Sequence, residues 1–297
     1  MLSFVALCAI ILAKKGLFYM NKKISFFIIS AFACFAANAG YMALDDALRA
    51  TYASCVGIDD ALHDMKVRAG INTAVTGVGT VAGGAALVVG IKKKNLMNNL
   101  RDIEDNGQEL QSSYNNLTIE QNVNFKPNLK SKKLGNWRTG LLAANTATNV
   151  AGAVIAAKNA HNDDLESQIA ECSAAVDDLK NALVRANFDN IDTTEASAIY
   201  DACSGYKYID YSVLKKRAKG AEISSIVGGS TSAVGVITSA VANKSDGEKE
   251  RKLDTASNVL AGGATVFTGT ATVFNAMQIS AIKKIADTAQ LCESLLK

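Results

Sequence analysis

Proline is almost absent from this 297-residue chain, which carries Pro127 alone. Because proline breaks helices, its scarcity favours long helices and excludes a proline-rich linker. Few runs alternate apolar and polar residues, and long stretches contain alanine, leucine, lysine and glutamate. The sequence therefore predicts an all-α fold, a multi-helix bundle.

Histidine is nearly as scarce, with His63 and His161 as the two examples. Both lie beside aspartates or near them in polar segments, so we interpret them as solvated helix residues, although either could join a metal site. The spacings of a zinc protease, a nucleophile elbow, a P-loop and an EF-hand are missing from the sequence. These absences predict a non-catalytic protein with no metal, no cofactor and no small-molecule substrate.

Residues 20–39 have the three parts of a secretory signal peptide. They are the basic pair Lys22-Lys23, an apolar run from Ile24 to Ala36, and the small-residue site Ala37-Asn38-Ala39. The pattern predicts cleavage before Gly40 and export to the periplasm, the outer envelope or the exterior.

Residues 1–19 form a second apolar stretch ahead of this signal. A complete signal beginning at Met20 makes that stretch redundant, so we interpret it as an upstream extension of the reading frame. The alternative is a retained anchoring helix, which would tether the protein to the inner membrane.

The mature chain lacks an excess of basic charge. Residues 1–39 hold four lysines and no acidic residue, which leaves 27 basic (31 − 4) against 28 acidic side chains. Binding to nucleic acid needs a concentrated excess of lysine and arginine, so the composition predicts no nucleic-acid partner. The expected partners are an unknown protein or a second copy of the chain, with a membrane as the other option.

A short pattern occurs twice and predicts an internal duplication. The stretch Tyr52–Gly57 returns as Tyr200–Gly205, each with a cysteine and a terminal glycine suited to a helix end. We predict a first helical unit over residues 40–187, with an inserted loop near 105–135, and a second over 188–297. Each unit would contain a short helix followed by a long helical hairpin.

Four cysteines remain after the predicted cleavage, an even number that fits an oxidising compartment. The repeat favours the pairs Cys55–Cys172 and Cys203–Cys292, each joining the first helix of a unit to its last. The alternative is four buried free thiols.

Within the second unit, Lys244–Glu248 is the clearest turn and predicts a hairpin of helices at about 208–243 and 249–296. At the start of the second unit, Asp192 and Glu195 have the spacing of a capping box for the helix that carries Cys203.

Four long stretches contain no charged residue, and each is long enough to cross a bilayer. Their richness in Gly, Ala, Ser, Thr and Asn is unusual for lipid-facing helices. Basic residues flank both ends of the first and third stretches, so they indicate no inside or outside. The stretches are Ile71–Ile91, Thr139–Ala157, Ile223–Asn243 and Thr255–Ile282.

Small residues in these stretches recur at spacings of three and four, which places them along one helix face. Such seams let two helix backbones approach closely. The predicted helix-packing seams are Gly79, Gly83, Ala86 and Gly90; Gly228, Ser232, Gly235 and Ser239; and Gly262, Thr265, Gly269 and Thr272.

A stripe of larger apolar residues lies opposite the seams, and its environment decides the function. In water this stripe would form the core of a soluble bundle, whereas in a membrane it would face lipid. The sequence favours the first: an exported structural or interaction protein of the cell envelope or the extracellular space. The alternative is a membrane-active protein whose hairpins insert into a bilayer or assemble there. The stripe includes Val75, Val78, Val89, Ile226, Val234, Val266 and Phe274.

Overall fold

A computed structural model describes residues 24–113 and 127–297, and this part of the chain is helical with no β-strand. The all-α prediction is confirmed. The elements are α1 (Ile24–Cys55), α2 (Ile58–Ser113), α3 (Pro127–Ala160), α4 (Asp163–Phe188), α5 (Thr194–Cys203), a 3₁₀-helix (Ser204–Tyr208), α6 (Tyr211–Ala242) and α7 (Gly247–Leu296).

The described residues divide into two compact units. Unit 1 takes those up to Leu62, together with Asp163–Ile209 and Lys284–Lys297. Unit 2 takes His63–Asn162 and Asp210–Lys283. Each unit therefore draws on both predicted sequence halves. The duplication itself, with its boundary near residue 187, stays a prediction.

Unit 1 is built around α4, which packs against α1, α5 and the 3₁₀-helix. The structure joins Cys55 to Cys172 and Cys203 to Cys292, the pairs favoured by the repeat, and all four sulfur-bearing residues are buried. Helix α1 ends at Cys55, and Gly57 follows with φ at +93°, a left-handed conformation that favours glycine.

A buried tyrosine completes this core. Tyr206 is 2% exposed, and burial, together with the nearby carboxylates of Glu293 and Asp59, raises the pKa of its phenol. The phenol therefore stays neutral at physiological pH. Tyr208, two residues further on, is 83% exposed and lies outside this core.

Several predicted boundaries differ from the structure. Helix α2 continues through Asp105-Asn106-Gly107 to Ser113, and α3 begins at Pro127, so the predicted loop near 105–135 is helical at both ends. Proline suits the first position of a helix, where its missing N–H leaves no bond unmade. The centre of that loop, residues 114–126, lies outside the described residues, as does the start of the predicted signal peptide.

The predicted capping box is wrong. Asp192 accepts hydrogen bonds from the backbone N and the Oγ1 of Thr194, two residues on, and Thr193 occupies the N-cap of α5. A short aspartate side chain often closes such a local turn in place of a cap. By contrast, Asp210 caps α6 by accepting from the N–H of Ser212, and the hydrogen bonds from Ser212 lower the pKa of this carboxyl.

Removing a disulfide is expected to destabilise unit 1 strongly. The two bonds span 117 and 89 residues, and loss of a native disulfide from a small exported domain typically costs about 2–5 kcal/mol. We expect Cys55→Ser with Cys172→Ser to lower the thermal midpoint of the protein. Scanning calorimetry would measure the change, and a midpoint equal to wild type would contradict a structural role for this bond.

Candidate functional site: the four-arm bundle of unit 2

The parts of α2, α3, α6 and α7 that lie in unit 2, here called the four arms, pack into one bundle. Helices α3 and α6 contact each other along their lengths. On α2, Gly79 lies against Thr148 and Asn145 of α3 and against Thr268 of α7. On α6, Gly228 also lies against Thr268. The small residues therefore bring all four backbones close to a common interior.

The structure places the predicted seams on the inner faces of two arms and beside the inner face of a third. Those of α2 and α6 are buried, whereas Gly262, Thr265, Gly269 and Thr272 are half-buried. Thr272 nevertheless reaches the interior, with its Oγ1 3.0 Å from Oγ1 of Thr76. The buried line of α7 lies one residue away, at Ser257, Ala261, Ala264, Thr268, Ala271, Asn275 and Gln278.

Two adjacent glycines in α2 should respond oppositely to alanine. A methyl group on Gly83 would lie 2.7 Å from Oγ1 of Thr265 and 2.9 Å from Nδ2 of Asn145, whereas one on Gly84 would meet nothing within 4 Å. We expect Gly83→Ala to destabilise the bundle by about 1–3 kcal/mol through overpacking. Gly84→Ala should stabilise it by about 0.4–1 kcal/mol through helix propensity and backbone entropy. Thermal unfolding of both variants checks the pair, and equal effects would contradict the close packing at Gly83.

The interior of the bundle is polar. Asn72 of α2 donates from Nδ2 to Oδ1 of Asn275 on α7 at 3.0 Å. Nearer the middle, Nδ2 of Asn149 lies 2.8 Å from both Oδ1 of Asn145 and Oγ1 of Thr268. All five residues are buried. Hydrogen bonds between side chains therefore link α2 to α7 and α3 to α7 inside the bundle.

A buried ion cluster lies at one end of the bundle, called here the tip. Asp254 forms two ion pairs, one through Oδ1 with Nη2 of Arg138 and one through Oδ2 with Nζ of Lys93, the latter at 2.8 Å. Glu250 accepts from the same Nζ at 2.9 Å. Arg138 and Lys93 are fully buried, and Asp254 is nearly so. This tip cluster of two cations and two carboxylates is electrically neutral.

Polar groups from α6, from the residue that follows it and from α7 complete the tip cluster. The guanidinium of Arg138 donates from Nε to Oγ of Ser239 at 2.9 Å and from Nη1 to Oδ1 of Asn258 at 3.1 Å. Lys93 donates to Oδ1 of Asn243 at 3.2 Å. The cluster thus ties all four arms together where the charge-free stretches end.

Sequence reasoning missed this cluster. In the sequence, Lys93 is one of three adjacent lysines that flank the first charge-free stretch, and Arg138 and Asp254 carry no pairing signal. One signal was present: a charge adjoins the charge-free stretch of each of these three arms, and the two signs are represented among them. Helices that pack side by side in a bundle can bring the charged ends of these stretches close together.

The outward faces of the arms are apolar. The structure exposes Val78, Ile226, Val234 and Val266, and leaves Val75, Val89 and Phe274 half-buried, so none of the predicted apolar stripe forms the core. Between residues 71 and 91 every exposed side chain is apolar, and Val81 at the centre is 73% exposed. The expectation that the stripe packs inward, as a water-soluble bundle requires, is wrong, because the small and polar faces occupy the interior.

Four helical segments of the described chain are long and apolar enough to cross a membrane. They are Gly40–Asn99, Lys130–Phe188, Tyr211–Ala242 and Gly247–Leu296. Each overlaps one of the four arms. No family model, no curated protein and no solved structure matches the chain.

Proposed function

We propose that the protein is membrane-active and that its four arms embed in a lipid bilayer as a helical bundle. The observation that carries this proposal is the inverted polarity of unit 2. Its interior holds asparagine, threonine, serine and paired charges beside mostly small apolar residues, whereas the large apolar residues on its exposed surface are mainly valine and isoleucine, with phenylalanine and methionine. A soluble bundle buries its apolar stripe and exposes its polar face.

The length of the arms supports this proposal. A helix crosses the hydrocarbon core of a bilayer, about 30 Å thick, with about 20 apolar residues. The four charge-free stretches meet this requirement, and helices satisfy their own backbone hydrogen bonds in lipid. Because lipid gives no hydrophobic drive for helix association, close packing of small residues and side-chain hydrogen bonds hold such bundles together. Unit 2 has both features.

The distribution of charge supports it as well. Charged side chains in membrane proteins face the bundle interior and pair with one another, as Lys93, Arg138, Glu250 and Asp254 do. Trp137, beside Arg138, is exposed at the tip. Tryptophan is enriched where a membrane span meets water. The tip therefore has the composition of a membrane interface.

Unit 1 carries the second part of the proposal, an exported structural or interaction role without catalysis. The segments of unit 2 begin or end at His63, Asn162, Asp210 and Lys283. Each of these residues lies at the end of its arm that is farther in sequence from the tip. The two disulfides of unit 1 favour an oxidising, exported compartment. The strongly exposed Phe188 and Tyr208 give it apolar contact surface.

Alkaline carbonate extraction of membranes from cells that express the full chain tests the membrane proposal. We expect the protein to stay in the membrane pellet, as an integral protein does. Its release with peripheral proteins would contradict embedding of the arms and would favour an exported soluble protein. A known integral protein and a known peripheral protein of the same membranes provide the reference fractions.

A further inference from the structure

Several buried amides inside the four-arm bundle have an oxygen or nitrogen atom without a hydrogen bond. Both amide atoms of Gln278 are without a hydrogen bond among the described residues, as are Oδ1 of Asn72 and of Asn149 and Nδ2 of Asn145 and of Asn275. Each of these side chains is at most 1% exposed. The hydroxyl of Ser225 is likewise buried and without a hydrogen bond. We call these six residues the amide chamber.

Leaving these atoms without partners would be unfavourable. A buried donor or acceptor that has lost its hydrogen bond costs about 1–3 kcal/mol, and buried polar groups in proteins are paired with protein or with ordered water. The chamber contains both acceptors and donors, and water can satisfy both. A bundle whose interior needed packing alone would place alanine or leucine here, as it does one turn further toward the tip.

The ligand set has a definite chemistry. Its acceptors are neutral amide and hydroxyl oxygens, joined by the hydroxyls of Thr76 and Thr268 nearby, and the chamber contains no carboxylate. Hard cations take oxygen ligands, and sites for divalent cations in proteins rely on carboxylates. Neutral oxygens replace the hydration shell of a monovalent cation in ion-selective membrane proteins. The set therefore suits a small monovalent cation better than a divalent one.

Apolar layers close both ends of the chamber. Toward the tip lies a buried cluster of Ala86, Leu142 and Ala261, and beyond it the tip cluster. At the other end every arm has a buried apolar residue beyond the chamber, one turn away on α2, α6 and α7 and two turns away on α3. These are Ala69, Ala156, Ala221 and Ile282. Apolar constrictions of this kind exclude ions until they open.

We propose that the amide chamber is a hydrated, occluded binding site for a small monovalent cation within the membrane bundle. This inference rests on the proposed membrane function and adds a ligand to it. The structure corresponds to a closed state, because Leu142 and its neighbours separate the chamber from the tip. Passage of the cation through the bundle requires both apolar layers to open.

Silver ion accessibility tests the site, because Ag⁺ is close in size to Na⁺ and K⁺ and reacts with cysteine thiols. The four native cysteines of the mature chain are in disulfides, so one introduced thiol is the target. The mature protein would be reconstituted in phosphatidylcholine and phosphatidylglycerol vesicles as Ser225→Cys, Ala261→Cys or Ile226→Cys. These positions lie in the chamber, in the apolar layer and on the outward face, respectively. Protection from later maleimide labelling measures the reaction.

We expect Ser225→Cys to react on the order of tenfold faster than Ala261→Cys, because opening of either layer admits Ag⁺ to the hydrated chamber, whereas a thiol in the dry layer reacts only while that layer itself is open. Sodium or potassium nitrate should slow the reaction relative to choline nitrate by competing for the site. Equal rates at Ser225 and Ala261 would overturn the hydrated chamber. A fast reaction at Ser225 whose rate is the same in sodium, potassium and choline nitrate would overturn the cation site.

The outward position separates failure of this inference from failure of the membrane proposal. Ile226→Cys should be protected, because lipid covers it. Rapid reaction there would contradict the membrane proposal, whereas protection of both Ile226→Cys and Ser225→Cys would contradict the chamber alone. Each variant must retain the helical circular dichroism of wild type, and Thr268→Cys replaces Ser225→Cys as the chamber position if the latter fails to fold.

Discussion

Replacing Val81 with aspartate is expected to prevent stable embedding of the first arm in a membrane. Val81 lies at the centre of the stretch 71–91 and is 73% exposed, so the new carboxylate would face lipid. An aspartate at the centre of a membrane helix costs about 2.5–3.5 kcal/mol on the scale from insertion experiments. We expect the variant to shift from the membrane pellet to the soluble or aggregated fraction on carbonate extraction.

An exposed valine in unit 1 provides the control. Val184 lies on α4 and is 50% exposed. Because it would face water, Val184→Asp should change stability by no more than about 0.5 kcal/mol and leave membrane retention at the wild-type level. If Val81→Asp behaved like Val184→Asp, water would surround both positions, and the membrane proposal would fail.

Removing the shared carboxylate of the tip cluster is expected to destabilise unit 2 more than any exposed charge change. Asp254 pairs with both Arg138 and Lys93, so Asp254→Ala leaves two buried cations with Glu250 alone. Breaking a buried ion pair by removing one partner costs about 3–5 kcal/mol, because the remaining charge is uncompensated. Thermal unfolding of the reconstituted protein should show the loss.

An exposed ion pair on the same helix is the control for this change. Lys252 pairs with Glu248 at 2.8 Å, but both side chains are about three-quarters exposed. Lys252→Met should therefore change stability by about 0–1 kcal/mol. Replacing the whole tip cluster by apolar residues, with Lys93→Met, Arg138→Met, Glu250→Leu and Asp254→Leu, should recover most of the stability lost in Asp254→Ala. Equal effects of Asp254→Ala and Lys252→Met would show that the cluster contributes nothing through burial.

The positions of the arms could be predicted from sequence because they depend on local properties. A lack of charge over about 20 residues and a small residue at every third or fourth position are visible within one helix. The cysteine pairs came from a repeat that relates distant segments. The turn at Lys244–Glu248 was visible in its composition, and the structure begins α7 at Gly247, whose φ is +62°.

Which face of each arm points into the bundle could not be predicted in this way. A helix with small residues on one side and valines on the other has two candidate inner faces, and the surrounding solvent decides between them. The predicted seam of α7 is half-buried and lies one residue from the buried line of that helix, for a related reason. One residue rotates the helix face by about 100°, so an alignment accurate to within one residue does not define a face.

The tip cluster and the amide chamber depend on tertiary contacts. Lys92, Lys93 and Lys94 are equivalent in composition, yet Lys93 alone of the three is buried, because it meets Asp254 on another helix. Likewise, Asn72 and Asn275 are 203 residues apart and are joined by a hydrogen bond. Asn145 and Asn149 were visible in the sequence as residues unfavourable for a lipid-facing helix, and the structure places both inside the bundle.

Collision accessibility of a nitroxide at Val81 tests the central claim most directly. The label would be attached to Val81→Cys in the mature protein, reconstituted in phospholipid vesicles, and compared with a label on Glu248→Cys at the exposed turn of the tip. Embedded arms predict that the Val81 label collides with oxygen dissolved in the lipid and is protected from a water-soluble nickel chelate, while the Glu248 label shows the reverse. Equal access of the nickel chelate to both labels would contradict the membrane-embedded bundle.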